Sequence, residues 1–164
     1  MDAQPEAGVS TFDPRLLEGA VELARQAREG GNHPFGALLA AGNGELLAEA
    51  MNTVETQRDP TGHAELNLVR LTGHLGAEVL AATTLYTSTE PCAMCAGGIY
   101  WAGIGRVVFA LAETDLLSIT GVDPRNPTLA LPSRQVFAAG SRPVDVIGPV
   151  DLAGAREVHE GFWN

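Results

Sequence analysis

A chain of 164 residues, 45% apolar and 18% charged, has the make-up of a folded globular protein and the length of one domain with a buried core. Twenty acids against ten bases leave a formal charge of −10, a balance that repels phosphate backbones and argues against a nucleic-acid partner. All ten bases are arginine, so Schiff-base chemistry and a phosphate-loop lysine are excluded.

Residues 1–12 read as a loose polar leader, with acids and no base before residue 11, unlike a secretory signal. Asp13-Pro14 then predicts a helix start, a capping acid followed by proline in the first turn. Leu16, Leu17, Ala20, Val21, Ala24 and Ala27 repeat at helical spacing, and Gly30-Gly31 stops the helix. Two short apolar segments, 35–41 and 45–52, hinge at Gly42-Asn43-Gly44 and predict a hairpin. Residues 53–62 read as a loop, 63–71 as a helix ending near Gly73, and 84–88 as a buried strand. A second motif-bearing helix is expected over 92–101, a strand over 106–111, and a short helix over 113–119 whose first acids, Glu113 and Asp115, suit a helix start.

Residues 121–133 hold three prolines and predict an ordered loop or lid. An edge strand over 144–147 and a closing helix over 151–160 complete the chain, so that 121–164 forms a C-terminal lid and closing element of a single domain, 1–164. Alternating helix and strand signals imply an α/β fold with helices on both faces of one sheet. No apolar run reaches the roughly 18 residues of a membrane span, and the expected setting is cytoplasmic.

Two pieces carry chemistry: His63-Ala64-Glu65, and Pro91-Cys92-Ala93-Met94-Cys95 beginning 26 residues after Glu65. In this order they match the H-x-E…P-C-x-x-C signature of zinc deaminases. Cysteines at i and i+3 share one helix face, and a helix start favours their thiolates. Two thiolates and one imidazole leave the fourth tetrahedral corner for water, the mark of a catalytic zinc, and zinc lowers the pKa of such a water to about 7. Glu65 is then the proton carrier. Residues i and i+2 do not face each other along a helix, so the His–Glu pair must sit at the helix start.

Other readings compete. Cys92 and Cys95, the two cysteines of the chain, could form a redox pair, but no thioredoxin-like context accompanies them. A structural zinc would need a fourth ligand from His33, His74 or His159, each of which reads as an ordinary histidine of a polar segment.

On these motifs, and on Pro34-Phe35-Gly36-Ala37, the sequence resembles the cytidine and nucleobase deaminase superfamily, in the branch of guanine, cytosine and tRNA adenosine deaminases. The resemblance implies a three-layer α/β/α fold with a mixed five-stranded sheet, Zn²⁺ held by His63, Cys92 and Cys95, and Glu65 as the catalytic shuttle. It also implies substrate-binding roles. Asn52 and the backbone of Ala64 would meet a ring carbonyl. Phe35 would stack on the base or simply pack in the core. Trp101, after Tyr100, would wall the pocket or pack. Asp123 would read the substrate's edge or form a turn. Trp163, with Phe162, would close the pocket, and the resemblance implies a homodimer whose subunits can exchange this C-terminal element. Guanine deaminases tend to carry tyrosine there, a departure that widens the candidate rings.

The expected activity is hydrolytic deamination of a free nucleobase-like ring of guanine, cytosine or amino-triazine type. The alternatives are a tRNA wobble adenosine deaminase, which the acidic balance opposes, and a non-catalytic zinc scaffold, in which Glu65 would have no use.

Overall fold

The computed structural model describes residues 11–163; most of the expected leader and the final Asn164 lie outside this range. Asp13 opens the first helix from an extended backbone, its carboxylate accepting the Arg15 N–H at 3.0 Å with Pro14 as the first helical residue. Helix α1 (Pro14–Glu29) buries Leu17, Ala20, Val21, Leu23, Ala24 and Ala27 and stops at Gly30. The hairpin follows as β1 (Gly36–Ala40) and β2 (Leu46–Met51), paired antiparallel. A Cβ on Gly36 would lie 2.4 Å from the Ala20 carbonyl oxygen and 2.5 Å from the Ala24 nitrogen. Glycine there lets α1 and β1 touch backbone to backbone.

Beyond the hairpin, α2 (Val54–Gln57) occupies part of the expected 53–62 loop. Its signal is remote in sequence: the Asn32 carboxamide oxygen accepts the N–H groups of Glu55 and Thr56 at 3.1 and 3.0 Å. Helix α3 (Ala64–Thr72) ends at Gly73 as expected, and α4 (Ala77–Ala81), too short to show a helical period, leads into β3 (Thr84–Thr89). Helix α5 (Ala93–Ala102), β4 (Arg106–Leu111) and α6 (Glu113–Thr120) follow. The proline-bearing loop ends at α7 (Ser133–Ala138), which the sequence did not signal. A short edge strand β5 (Asp145–Ile147) and α8 (Ala153–Glu157) follow, the latter half the length of the expected closing helix.

The sheet has the order β2-β1-β3-β4-β5. Pairing is antiparallel on both sides of β1 and parallel across β3, β4 and β5, which makes it the mixed five-stranded sheet expected. Strand alternation divides the core in two. Leu38, Tyr86, Val108 and Ala110 pack with α1, α6 and α8 residues such as Leu17, Leu116 and Ala155. Ala37, Leu39, Leu85 and Val107 pack with Leu68 of α3, Ile99 of α5 and Phe137 of α7. Helices therefore cover both faces. No helix among the described residues is long and apolar enough to cross a membrane.

Candidate active site

His63 is the N-cap of α3, extended at φ −69° and ψ 148°, and Glu65 sits in the first turn behind it. That placement resolves the i, i+2 problem, because the ring leaves the helix end while the carboxylate leaves its side. Cys92 is likewise the extended N-cap of α5, with Cys95 one turn inside; the helix starts one residue later than expected. Both helix starts therefore present their positive ends to the same spot.

The His63 Nδ1 lies 3.6 Å from Cys92 Sγ and 3.5 Å from Cys95 Sγ. Zinc bonds of about 2.3 Å to sulfur and about 2.0–2.1 Å to nitrogen, set at the tetrahedral angle, place sulfur and nitrogen about 3.5 Å apart. The observed spacing fits a zinc ion without rearrangement. These three residues form the metal-capable group among the described residues, their ligand atoms all within 4.8 Å of one another. Neither Glu65 nor a second histidine belongs to it, so among the described residues no His, Cys, Asp or Glu side chain supplies a fourth ligand there. A hydrogen bond from the Cys95 thiol, against burial and with help from His63, draws the Cys92 thiol down to about 4. Cys95 is pushed up by the same bond and by burial.

Beside the triad opens a cavity of about 380 Å³. Of the sequence-predicted residues, His63, Glu65, Cys92, Asn52 and Phe35 line it. Asn52, 1% exposed, is fixed by its Oδ1, which accepts the Val54 N–H at 3.0 Å; its amide nitrogen makes no hydrogen bond among the described residues. Phe35 both lines the cavity and packs behind it, against His159 at 5.3 Å and Trp163 at 6.1 Å between ring centroids. Ala64 is buried in the α3 face of the core, leaving its backbone N–H as one of the helix-start donors without an intrahelical acceptor. Glu65 is buried, its Oε1 bonded to the Thr87 hydroxyl at 3.0 Å, and burial raises its carboxyl above the usual range.

Three expected pocket residues lie elsewhere in this chain. Trp101 is 86% exposed on the outer side of α5, because the inner positions of that helix are taken by Cys95, Ala96 and Ile99. Asp123 is not on the cavity wall; its carboxylate grips Arg125, which is. Trp163 is buried behind the wall, in edge contact with His33 at 5.3 Å, and donates its Nε1–H to His159 Nδ1 at 3.0 Å. Arg125 lies over the Phe162 and Trp163 rings, so the proline-bearing loop rests on the C-terminal aromatics of its own chain.

Sequence reasoning missed several wall residues. His33 is no polar-segment histidine: it is 6% exposed, lines the cavity and bonds Glu55 at 3.0 Å. His159 is buried too. Glu90, next to the Pro-Cys motif, accepts the Glu113 N–H on one oxygen and the Ser133 N–H and hydroxyl on the other, joining α6 to α7. Glu113, expected as a helix-start acid, opens α6 as expected and is buried on the cavity wall. A Glu beside the cysteine motif was a legible signal; nothing in the local sequence distinguishes Glu113 from Asp115.

Residues 10–111 match the cytidine and deoxycytidylate deaminase zinc-binding region. The chain belongs to this deaminase family. Its activity is hydrolytic deamination and its cofactor is zinc. The family chain is 39% identical over 156 residues to a probable cytosine deaminase of Schizosaccharomyces pombe, covering 95% of both. It is 37% identical over 105 residues to a tRNA-specific adenosine deaminase of Haemophilus influenzae, covering 63% of this chain and 61% of that one. The crystal structure of guanine deaminase from Bacillus subtilis superposes with a TM-score of 0.57 at 38% identity, over 66% of this chain and 69% of that one. The scaffold alternative gives way to an enzyme.

Proposed function

We propose that this deaminase acts on a free nucleobase-like ring, of guanine, cytosine or amino-triazine type, releasing ammonia. The observation that carries the reading is the small cavity beside the triad. Its 380 Å³ suits one small heterocycle, near the lower end of the roughly 300–1,000 Å³ of small-molecule pockets. The 121–132 loop roofs it through Pro124, Pro127 and Leu129.

Zinc held by His63, Cys92 and Cys95 supplies Lewis acidity and an activated water at neutral pH. Glu65, buried and outside the ligand group, takes a proton from water, delivers it to a ring nitrogen, and passes another to the departing amine. Atoms balance: an exocyclic C–N bond breaks, a C–O bond forms, and one water leaves as ring carbonyl and ammonia. The Asn52 amide and the Ala64 N–H donate to the ring carbonyl, and Phe35 offers its face.

Similarity to tRNA adenosine deaminases supports a second reading. Against it stand the −10 charge and the engagement of Arg25, Arg106 and Arg125 by acids and of Arg28, Arg134 and Arg142 by carbonyls. A phosphate track needs such cations free. Exposed Trp101 supports pairing of two copies, which sedimentation of wild type and Trp101→Ser would test. The function itself is tested by ammonia release from guanine, cytosine, adenine, their nucleosides and amino-triazines, with Glu65→Gln as control. Turnover of one free ring is expected; activity on tRNA alone, with salt-sensitive tRNA binding in a gel shift, overturns the reading.

A further inference from the structure

We propose that Glu113, on the cavity wall, binds a ring N–H edge of the substrate away from the amino group that leaves, and so selects free rings over their N-substituted forms. This rests on the free-ring reading above.

Glu113 is 7% exposed and lines the cavity, yet its carboxyl makes no hydrogen bond among the described residues. Folded proteins leave few buried polar groups unpaired, because each unmet group is costly. The neighbouring carboxyls are accounted for: Glu65 meets Thr87, and Glu90 ties α6 to α7. Glu113 lies outside the metal-capable group. Its own backbone is fixed, the N–H donating to Glu90 Oε2 at 3.0 Å. A buried, positioned carboxyl with free oxygens is a preformed acceptor.

A carboxyl oxygen accepts an N–H whether or not the group is ionised. The group such an acceptor selects is a ring N–H. A free base carries one where a nucleoside carries its sugar. The ligand class is therefore a heterocycle with an unsubstituted ring N–H.

The test uses zinc-loaded wild type, Glu113→Met, which keeps length without polar atoms, and Glu113→Gln, which keeps a donor and an acceptor. kcat and KM are measured on the best ring of the panel and on its singly N-methylated analogues, with zinc content and circular dichroism checked. Wild type should prefer the parent ring over at least one analogue by about tenfold or more. Glu113→Met should raise KM for the parent about tenfold to a hundredfold, with little change in kcat, and abolish that preference. Glu113→Gln should retain most of both. An unchanged preference in Glu113→Met overturns the assignment. If that variant does not fold, Glu113→Ala carries the same comparison. A wild type that turns over no free ring defeats the functional reading instead; Glu113 is then judged by calorimetric binding of the same rings. Equal binding by wild type and variant, or none, overturns it.

Discussion

The Thr87 hydroxyl lies 3.0 Å from Glu65 Oε1 and 2.9 Å from the Thr89 carbonyl oxygen, with one proton to give. A carbonyl only accepts, so both contacts are full hydrogen bonds when Glu65 carries a proton, and share one hydrogen when it is ionised. The burial that raises Glu65 favours the same protonated form. Thr87 thus follows the carboxyl through both of its states. Replacing Glu65 by Gln should lower kcat about a hundredfold to ten-thousandfold with zinc retained. Thr87→Val should cost less, about tenfold in kcat with KM steady, the price of one hydrogen bond at about 1.4 kcal/mol. Steady-state ammonia release and metal analysis of both variants check this; a Glu65→Gln enzyme with wild-type turnover would remove Glu65 from the chemistry.

Asn52 divides its side chain between fold and site. The oxygen holds the Val54 N–H at 3.0 Å, and the nitrogen remains for a ring. Asn52→Asp preserves the acceptor and should fold, while KM rises about tenfold or more from the lost donor. Asn52→Ala loses both and should also destabilise the protein by about 1–3 kcal/mol. Urea unfolding alongside kinetics separates the two effects; equal stability of the Ala and Asp variants would refute the division.

Zinc uptake should depend on pH in a defined direction. Cys92 is already ionised well below neutrality, at about 4, whereas Cys95 is raised and keeps its proton in the metal-free protein. Binding must expel that proton, so apparent zinc affinity should rise as pH rises through the neutral range. Competition with a chelator at pH 6 and pH 8 measures it. A flat profile contradicts the assignment of Cys95 as a ligand.

The C-terminal aromatic cluster should make stability fall in mild acid. Burial, then the charges of Arg28 and Arg156, lower His159 from 6.5 to about 4. Between those values the unfolded chain binds a proton that the folded protein refuses. The contribution is complete above about 6.5 and is lost as pH falls toward 4, up to about 3 kcal/mol. His159→Gln, which can still accept the Trp163 N–H, should flatten the dependence of Tm on pH. Trp163→Ala should destabilise by about 3–5 kcal/mol while zinc stays bound, and deleting residues 162–164 should cripple turnover by loosening Phe35 and His33. Wild-type activity after that deletion would detach the cluster from the pocket.

Much of this architecture was legible in local sequence. Asp13-Pro14, the Gly42-Asn43-Gly44 hinge and Gly73 mark boundaries through backbone conformations that neighbours do not alter. The zinc residues were legible because metal geometry restricts ligand type and spacing. What escaped depends on contacts between distant segments: α2 is capped by Asn32, and α7 by Glu90. Trp101 and Asp123 escaped for the opposite reason, since a family position fixes neither which side of a helix faces inward nor which partner a carboxylate finds. Glu113 and Asp115 are two residues apart on one short helix, and only the packing of α6 decides that the first is buried and the second exposed.

Glu90 gives the roof of the pocket two moorings, one at the start of α6 and one where the loop re-enters at Ser133, both on a side chain two residues before the first cysteine. Beyond α6, whose Leu116 belongs to the core, the 121–132 loop is the part of the span between them that is free to vary. Grafting another sequence of equal length there would reshape what enters the cavity while the reaction centre keeps its geometry, so substrate range and chemical power can diverge independently in this scaffold.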